Sequence, residues 1–454
     1  MTRFETLYEA LYVILTCIAL PFLLYTVIIP GRYLFVVYWV INIAFGLTGT
    51  WIMTESICGI FGNKKNATKV SIDLEGNGCE EGVLIIIPAF LNNEKAVLTD
   101  TLTSFSELIH SCPIVVYVCY NMIDDESTLK FERNTLKIWD GLKVKNICFV
   151  ISKNVNGNSK AENINYALDQ TVDKPFSLIG IYDADHQPDI NCLSYGIDCI
   201  NKRNCDVVQG QCCIRNHSLS LLSRVVAIEF IDMYNIGHQG RSVAFDLGIF
   251  GGSNALWKSK VLRSTRMDPS MLTEDIDSSF KASSMGARIC YCPQMLSYEL
   301  APVTLRVLTK QRLRWAQGWF EVSIRYGMTM LASNTVSLRR KVGCILLLIW
   351  REIFMYLLYH PIFLLVGEAI QQNGVIAFSI TKMFFSIVFI VAGLFKTNFI
   401  YFVAPKRIRK ELHWSWFVVY IFIYPIYSSY INGIQVASHI RHFIKIKEWI
   451  PTTR

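Results

Sequence analysis

Phe176-Ser177-Leu178-Ile179-Gly180-Ile181-Tyr182-Asp183-Ala184-Asp185-His186 is an apolar run that stops in two carboxylates. Such a run predicts a strand buried on both faces, as in a parallel sheet. Asp183 and Asp185 then stand at its carboxyl end, where open α/β sheets hold their ligands. Carboxylates there are costly unless a cation or hydrogen-bond donors meet them. Two oxygen donors at i and i+2 suit Mg²⁺ or Mn²⁺ shared with phosphate groups. Taken alone, an Asp-x-Asp pair also occurs by chance.

The neighbouring stretches extend the same pattern. Val83 to Ile87 is a β-branched run stopped by Pro88, and Asn92-Asn93-Glu94 opens a helix through Leu98, Leu102 and Phe105. Ile114 to Cys119 and Asn146 to Ser152 predict two more strands, with a helix over Asn158–Leu168. A strand over Asp206–Ile214 and a helix over Leu221–Gly237 follow. Next come a flexible bend at Phe250-Gly251-Gly252-Ser253-Asn254, a helix from Thr273 to Met285 and a late strand over Ala287–Cys292. Strands alternating with helices predict an α/β fold with a mostly parallel sheet.

The chain is 454 residues long, 52% hydrophobic and 18% charged, which is too apolar for an ordinary soluble protein. The excess gathers at the ends. Tyr8–Pro30, Tyr33–Met53, Val342–Gly367, Gly374–Phe395 and Trp414 to about Ser438 are each near the ~20 residues that cross a bilayer. These runs divide the chain. Residues 1–54 hold two transmembrane helices, 55–81 a polar linker and 82–301 the sheet domain. Residues 302–341 form amphipathic interface helices, 342–440 about three further spans, and 441–454 a basic tail. Leu305, Leu308, Trp315, Trp319 and Val322 share one face of the interface segment.

The net charge of +8 lies largely in clusters beside the apolar runs: Lys64, Lys65 and Lys69; Arg339 to Lys341; and Lys406 to Lys410. Such clusters place the sheet domain on the cytosolic side of a plasma membrane, facing an anionic leaflet. No basic stripe interleaved with aromatics suggests nucleic acid. One conflict stands. Residues 396–413 and the tail both read as cytosolic, yet one span separates them, so a run is interfacial or miscounted. Arg351, Glu352, His360 and Lys382 fall inside predicted spans, where charges face a protein interior or a polar path. The fourteen cysteines form no CxxC pair and read as reduced thiols.

Two further constellations carry chemistry. Asp275, in Thr273-Glu274-Asp275-Ile276-Asp277, can take a proton from an attacking hydroxyl; equally, Thr273 can be an N-cap with Glu274 and Asp275 favouring the helix dipole. Gln311, Arg314 and Trp315 share a helix face. There Arg314 can neutralise a diphosphate and Trp315 can stack on a sugar; equally, they can be a snorkelling Arg beside an interfacial Trp.

In combination, Asp183-x-Asp185, Thr273-Glu274-Asp275 and Gln311-x-x-Arg314-Trp315, flanked by spans, resemble the membrane-embedded family 2 glycosyltransferases. These are the cellulose, chitin, hyaluronan and poly-N-acetylglucosamine synthases. The resemblance implies a GT-A nucleotide-sugar domain set between transmembrane helices. It implies that Asp183 contacts the UDP part, Asp185 holds Mg²⁺ or Mn²⁺, and Asp275 is the general base. Glu274, beside that base in the same motif, would bind substrate. Gln311, Arg314 and Trp315 would grip the diphosphate and the acceptor end. Pro88 and Glu94 resemble the nucleotide loop, Lys160 opens a stretch similar to the family's Lys-Ala-x-Asn-x-Asn, and Gly252-Ser253-Asn254 resembles the acceptor-side loop. The implied activity is processive, inverting polymerisation of UDP-glucose or UDP-N-acetylglucosamine, with translocation of the polysaccharide. Asp183-Ala184-Asp185-His186 leans toward glucose. A homo-oligomer or accessory export subunits are compatible with that role. The alternatives are a non-processive transferase acting on a lipid acceptor and a catalytically dead scaffold. One departure stands out: Cys119-Tyr120-Asn121 occupies the place where the family usually has an Asp that meets uracil, and Asp124-Asp125 follow slightly later.

Overall fold

The computed structural model describes residues 3–67, 81–371 and 380–446. Nine strands form one sheet: β1 (Val83–Phe90), β2 (Ile114–Asn121), β3 (Lys143–Val144), β4 (Ile147–Lys153), β5 (Leu178–Ile181), β6 (Gln187–Pro188), β7 (Val207–Ile214), β8 (Ala255–Lys258) and β9 (Ile289–Glu299). Their order is β3-β4-β2-β1-β5-β8-β7-β9-β6. β4, β2, β1 and β5 are mutually parallel. β8 runs antiparallel to both of its neighbours, and β7 and β9 again run with β5, so the sheet is mixed but six of its nine strands point the same way, as expected. Both faces are covered. Val83, Ile85 and Ile87 pack with Leu98, Leu102 and Phe105 on one side. Leu84 and Ile86 pack with Ile164, Leu168 and Trp257 on the other.

Pro88 does not end β1, which continues to Phe90 with Pro88 opposite Cys119. The pairing with β5 stops at Ile86, so the missing Pro88 N–H falls where no ladder bond is needed. The late strand is also longer than its apolar run, reaching Glu299 through a register shift opposite Gly210/Gln211.

Cys205 and Cys290 are joined in a disulfide, which corrects the expectation of thiols throughout. Parallel pairing sets Val208 opposite Cys290 and so brings residue 205 alongside, a proximity with no trace in the spacing.

Among the described residues, five helices are long and apolar enough to cross a membrane: Leu7–Ile28, Gly31–Gly62, Leu338–Gln371, Phe384–Val403 and Ser415–Phe443. The second belongs to a helix running to Ala67, so residues 55–67 are not the linker expected there; residues 68–80 lie outside the described residues. Its polar groups are absorbed by packing. Glu55 accepts from Trp51 Nε1 at 2.7 Å, and Gly59 lies against the backbone of Ile236 in the sheet domain.

The second, third and fourth of these helices each meet the sheet domain near one end. Arg340 pairs with Asp246 at 2.7 Å, whereas Gln371 donates to the carbonyls of Tyr25 and Ile29 beside the first helical turn-round. Lys396 pairs with Asp232 at 2.7 Å, and the Val403 carbonyl accepts from Asn235. The fifth differs. Near its start, Glu411 meets His217 at 3.3 Å. Near its end, Arg441 pairs with Glu9 at 2.6 Å and the Ile446 carbonyl accepts from Gln317. Arg441 therefore belongs to the helix, and residues 447–454 of the expected tail lie outside the described residues. Arg351 and Glu352 pair with each other, and Glu352 also accepts from His439 and Ser323, so the pair is met by the Ser415–Phe443 helix and by Leu305–Ala332. The Lys382 side chain lies outside the described residues.

Candidate active site

Leu305–Ala332 is one unbroken helix, opened by the Thr304 side chain accepting from Val307 N. It runs between the sheet domain and the apolar helices. Of its expected apolar face, Leu308 and Val322 are buried, Trp315 and Trp319 line a cavity, and Leu305 is exposed. Gly318 sits directly against Thr273, where a Cβ would lie 2.4 Å from the Thr methyl carbon. Arg325 meets Asp277 and Asp268, both at 2.7 Å, and Arg314 reaches the Leu272 carbonyl at 3.4 Å. The helix is thereby locked to the segment that carries Asp275.

One cavity is lined by Pro88, Glu94, Lys160, Asp183, Glu274, Asp275, Gln311, Arg314 and Trp315. Asp185 is fully buried just behind this wall, with Oδ2 accepting from Leu300 N at 3.0 Å. Asp183, Asp185 and His186 bring one ligand atom each within 4.8 Å of one another, and two of the three are carboxylates. The backbone holds this corner. Tyr182 N donates to Ile86 O, Asp183 N to Ser253 Oγ, and Thr101 Oγ1 to Ala184 O.

Lys160 stands at the centre of the carboxylates. Its Nζ lies 2.5 Å from Asp183 Oδ1, 3.8 Å from Glu274 Oε1 and 2.7 Å from the Gly252 carbonyl. Burial works against its charge, but Asp183, Glu274 and Asp275 together raise its pKa. Gly252 has φ +91°, and a Cβ there would come 2.8 Å from Asp275 Oδ2, so the bend needs glycine on both counts.

Asp275 stands in the first turn of the Glu274–Ser284 helix with Glu274, as the dipole alternative expects; Thr273 is the N-cap residue, but its side chain makes no capping bond. Burial, then the Glu274 carboxylate, push the Asp275 carboxyl up to about 7 against the pull of Lys160 and Arg314. That places it near the range where a general base works best. Glu94 turns back to accept from Phe90 N at 2.8 Å and shapes the end of the first strand.

At the end of β2, Asn121 lines the cavity. Asp125 does not replace it. Its side chain caps the next helix through Thr128 N, and hydrogen bonds from Ser127 and Thr128 hold its carboxyl well below the usual range. Asp124 faces Lys153 at 3.5 Å.

Residues 81–318, just over half of the chain, match the family described as glycosyltransferase-like family 2. The chain belongs to glycosyltransferase family 2. It is 28% identical over 260 residues to a poly-β-1,6-N-acetyl-D-glucosamine synthase of Staphylococcus epidermidis, a match covering 57% of this chain and 59% of that protein. It is 24% identical over 389 residues to the probable glycosyltransferase YdaM of Bacillus subtilis, covering 82% and 86% of the two chains. A mannosyltransferase of Pyrobaculum calidifontis, solved with GDP-mannose and Mn²⁺, superposes with a TM-score of 0.51 at 16% identity, covering 89% of this chain and all of that one. This last likeness shows the fold alone.

The family 2 cavity also takes side chains that sequence reasoning passed over. Phe230, Met233, Tyr234 and His238 line it from one helical stretch, the last three in a π-helical turn over Asp232–His238. Wide turns of this kind often mark functional sites, but nothing in the residue pattern announces one. Asn163, Glu299 and Trp319 also line it. Trp319, one turn beyond Trp315, was already placed on that face by the sequence; its part in the cavity is what the structure adds.

Proposed function

We propose that the protein is a processive, inverting β-glycosyltransferase. It draws on a UDP-sugar, extends a polysaccharide and passes the chain across the membrane that holds its apolar helices. The observation that carries this reading is the single cavity that joins the strand-end groups to the Gln311–Trp315 helix. The names of the relatives weigh toward N-acetylglucosamine over the glucose suggested by Asp183-Ala184-Asp185-His186.

In this reading the acceptor end rests on Trp315 and Trp319, and Asp275 takes the proton from its attacking hydroxyl. The oxygen bonds to the anomeric carbon as the bond to the diphosphate breaks on the opposite face, so the centre inverts. Arg314 and Gln311 meet the charge that develops on the departing diphosphate. Lys160 holds Asp183 and Glu274 in register beside the base. Asp185, with Asp183 and His186, would hold Mg²⁺ or Mn²⁺, which would supply further neutralisation of the diphosphate.

The helices Leu7–Ile28, Gly31–Gly62, Leu338–Gln371 and Phe384–Val403 would cross the bilayer, and Ser415–Phe443 would lie along its inner face. Both flanks of that last helix touch the sheet domain or its partner helices. Phe422 and Ile426 are exposed on it, while Asn432 and His439 are buried. Four crossings put the sheet domain, residues 404–413 and the tail all in the cytosol. A protease site added after the last residue is then cut only from the cytosolic side; cleavage from outside would restore a fifth crossing.

The activity is tested with purified full-length protein in nanodiscs, given a panel of radiolabelled nucleotide sugars with Mg²⁺ or Mn²⁺. The expected product is a long polymer from UDP-N-acetylglucosamine or UDP-glucose. Products one sugar longer than an added lipid would support the non-processive alternative, and no turnover of any donor would sink the proposal.

A further inference from the structure

The last three strands in the sheet order, β7, β9 and β6, bring a thiol, a carboxylate and an imidazole to one face. β6 pairs antiparallel with β9, Gln187 opposite Tyr298, and that register carries His186 alongside Glu299. β7 pairs parallel with β9 on its other side, with Cys212 opposite Ser297 and Ile214 opposite Glu299. Residues opposite each other, and residues two apart on one strand, point to the same face, so His186, Cys212, Ser297 and Glu299 converge there. The register shift after Gly210 is what sets Cys212 at that level. His186 Nε2 lies 3.6 Å from Glu299 Oε1, and its Nδ1 lies 3.1 Å from Ser297 Oγ. The ligand atoms of His186, Cys212 and Glu299 all lie within 4.8 Å of one another. Ligands about 2.1 Å from a tetrahedral ion stand ~3.5 Å apart, so the imidazole and the carboxylate are already at that spacing. His186 and Glu299 line the cavity, which gives an ion a way in, and Cys212 is buried behind them.

We propose that His186, Cys212 and Glu299 form a second cation site, built for a thiophilic ion such as Zn²⁺ and mutually exclusive with the first. The donor set decides the class. A thiolate beside an imidazole selects Zn²⁺ or Cd²⁺, whereas Asp183 and Asp185 offer the oxygen ligands that suit Mg²⁺ or Mn²⁺. Three protein ligands leave the fourth position of the tetrahedron to water. On binding, the Cys212 thiol gives its proton to solvent and its sulfur bonds the ion. Ser297 holds the imidazole as outer-shell partners of metal-bound histidines do, and Nε2 is the nitrogen turned to Glu299. The same imidazole lies within 4.8 Å of ligand atoms of Asp183 and Asp185. With Nδ1 engaged by Ser297, it serves one ion at a time. Zn²⁺ on Cys212 therefore withdraws His186 from the Mg²⁺ or Mn²⁺ set and slows sugar transfer. The site itself stands apart from the transferase reading; only its exclusion of Mn²⁺ rests on the metal assignment made there.

The test titrates the full-length protein in detergent with Cd²⁺, whose bond to a thiolate absorbs in the ultraviolet. C212S subtracts what the other cysteines contribute, and the wild type is expected to show an additional saturable band that Zn²⁺ abolishes. S297A should weaken Cd²⁺ at that band by about tenfold to a hundredfold, the scale of losing an outer-shell partner, and E299Q by at least as much. E299Q keeps every thiol, so it carries the test by itself if C212S does not fold. Mn²⁺ has little affinity for thiolate, so saturating Mn²⁺ should weaken Cd²⁺ at this band by about tenfold or more through His186 alone. Equal bands in wild type and C212S, or a band unmoved in E299Q, overturn the site. A band that forms normally and ignores Mn²⁺ overturns the exclusion. Absence of sugar transfer with the Cys212 band intact would count against the transferase reading and leave the site in place.

Discussion

The two ends of the cavity are built in different ways. At the donor end, Pro88, Asn121 and Asp183 stand at the tips of β1 and β2 and just beyond β5, held by sheet pairing and short backbone bonds. The other end, proposed to take the acceptor, hangs on one helix whose position is set from far along the chain. Arg312 stacks on Trp315 at 4.3 Å and pairs with Glu229 at 2.6 Å, and Tyr427 donates to that same carboxylate at 2.9 Å. Trp319 lies 4.4 Å beneath the Arg351 guanidinium, which belongs to a predicted span. The end proposed to take the donor is thus fixed to the sheet, whereas the end proposed to take the acceptor is coupled to the apolar helices. Changes at the first should act on nucleotide binding and chemistry. Changes at the second should act on chain growth.

The largest effect is expected at the junction of the two. D275N should lower kcat by about a hundredfold to ten-thousandfold while UDP binding is kept. Loss of UDP binding in a folded D275N would blur the two ends into one. R314A should cost roughly a hundredfold or more in kcat, the scale of losing one group aimed at developing charge. A rise in KM alone would show that Arg314 serves binding only.

E229Q tests the coupling itself. Arg312 would lose its buried partner, with a cost below the ~3–5 kcal/mol of a fully buried pair because Glu229 is partly exposed. The expected readout is a lower Tm and shorter product chains with UDP affinity unchanged; unchanged chain length would uncouple Trp315 from the membrane helices. The smallest effect is a shift in pH dependence. Asp275 must be ionised to act, and its carboxyl sits near 7, so kcat/KM should rise with pH through that value. Glu274 raises that pKa, so E274Q should move the limb to lower pH. Lys160 lowers it, so K160Q should move the limb to higher pH. Shifts of the opposite sign would show that another group titrates.

The donor end was largely legible in the sequence, because buried parallel strands write continuous apolar runs and place their functional residues just beyond them. Val83–Ile87, Ile114–Cys119 and the run into Asp183 all behave this way. β8 was missed because Ala255–Lys258 is four residues long and lies between a glycine bend and a helix. The acceptor end was legible only as a helix face. Its supports join residues separated by 83 and 198 positions in the chain. The Asp232–His238 turn, the Cys205–Cys290 disulfide and the course of Ser415–Phe443 were hidden for the same reason. Each depends on what packs alongside, and no local period encodes that.

The most direct test of a donor end fixed to the sheet and an acceptor end gripping a growing chain is the distribution of product lengths at the earliest times. Full-length protein in nanodiscs would be given excess UDP-sugar and sampled before a small fraction of acceptor is consumed. Long chains beside unextended acceptor, with no ladder of short intermediates, are expected. A ladder that lengthens in step with time would contradict retention of the chain between additions.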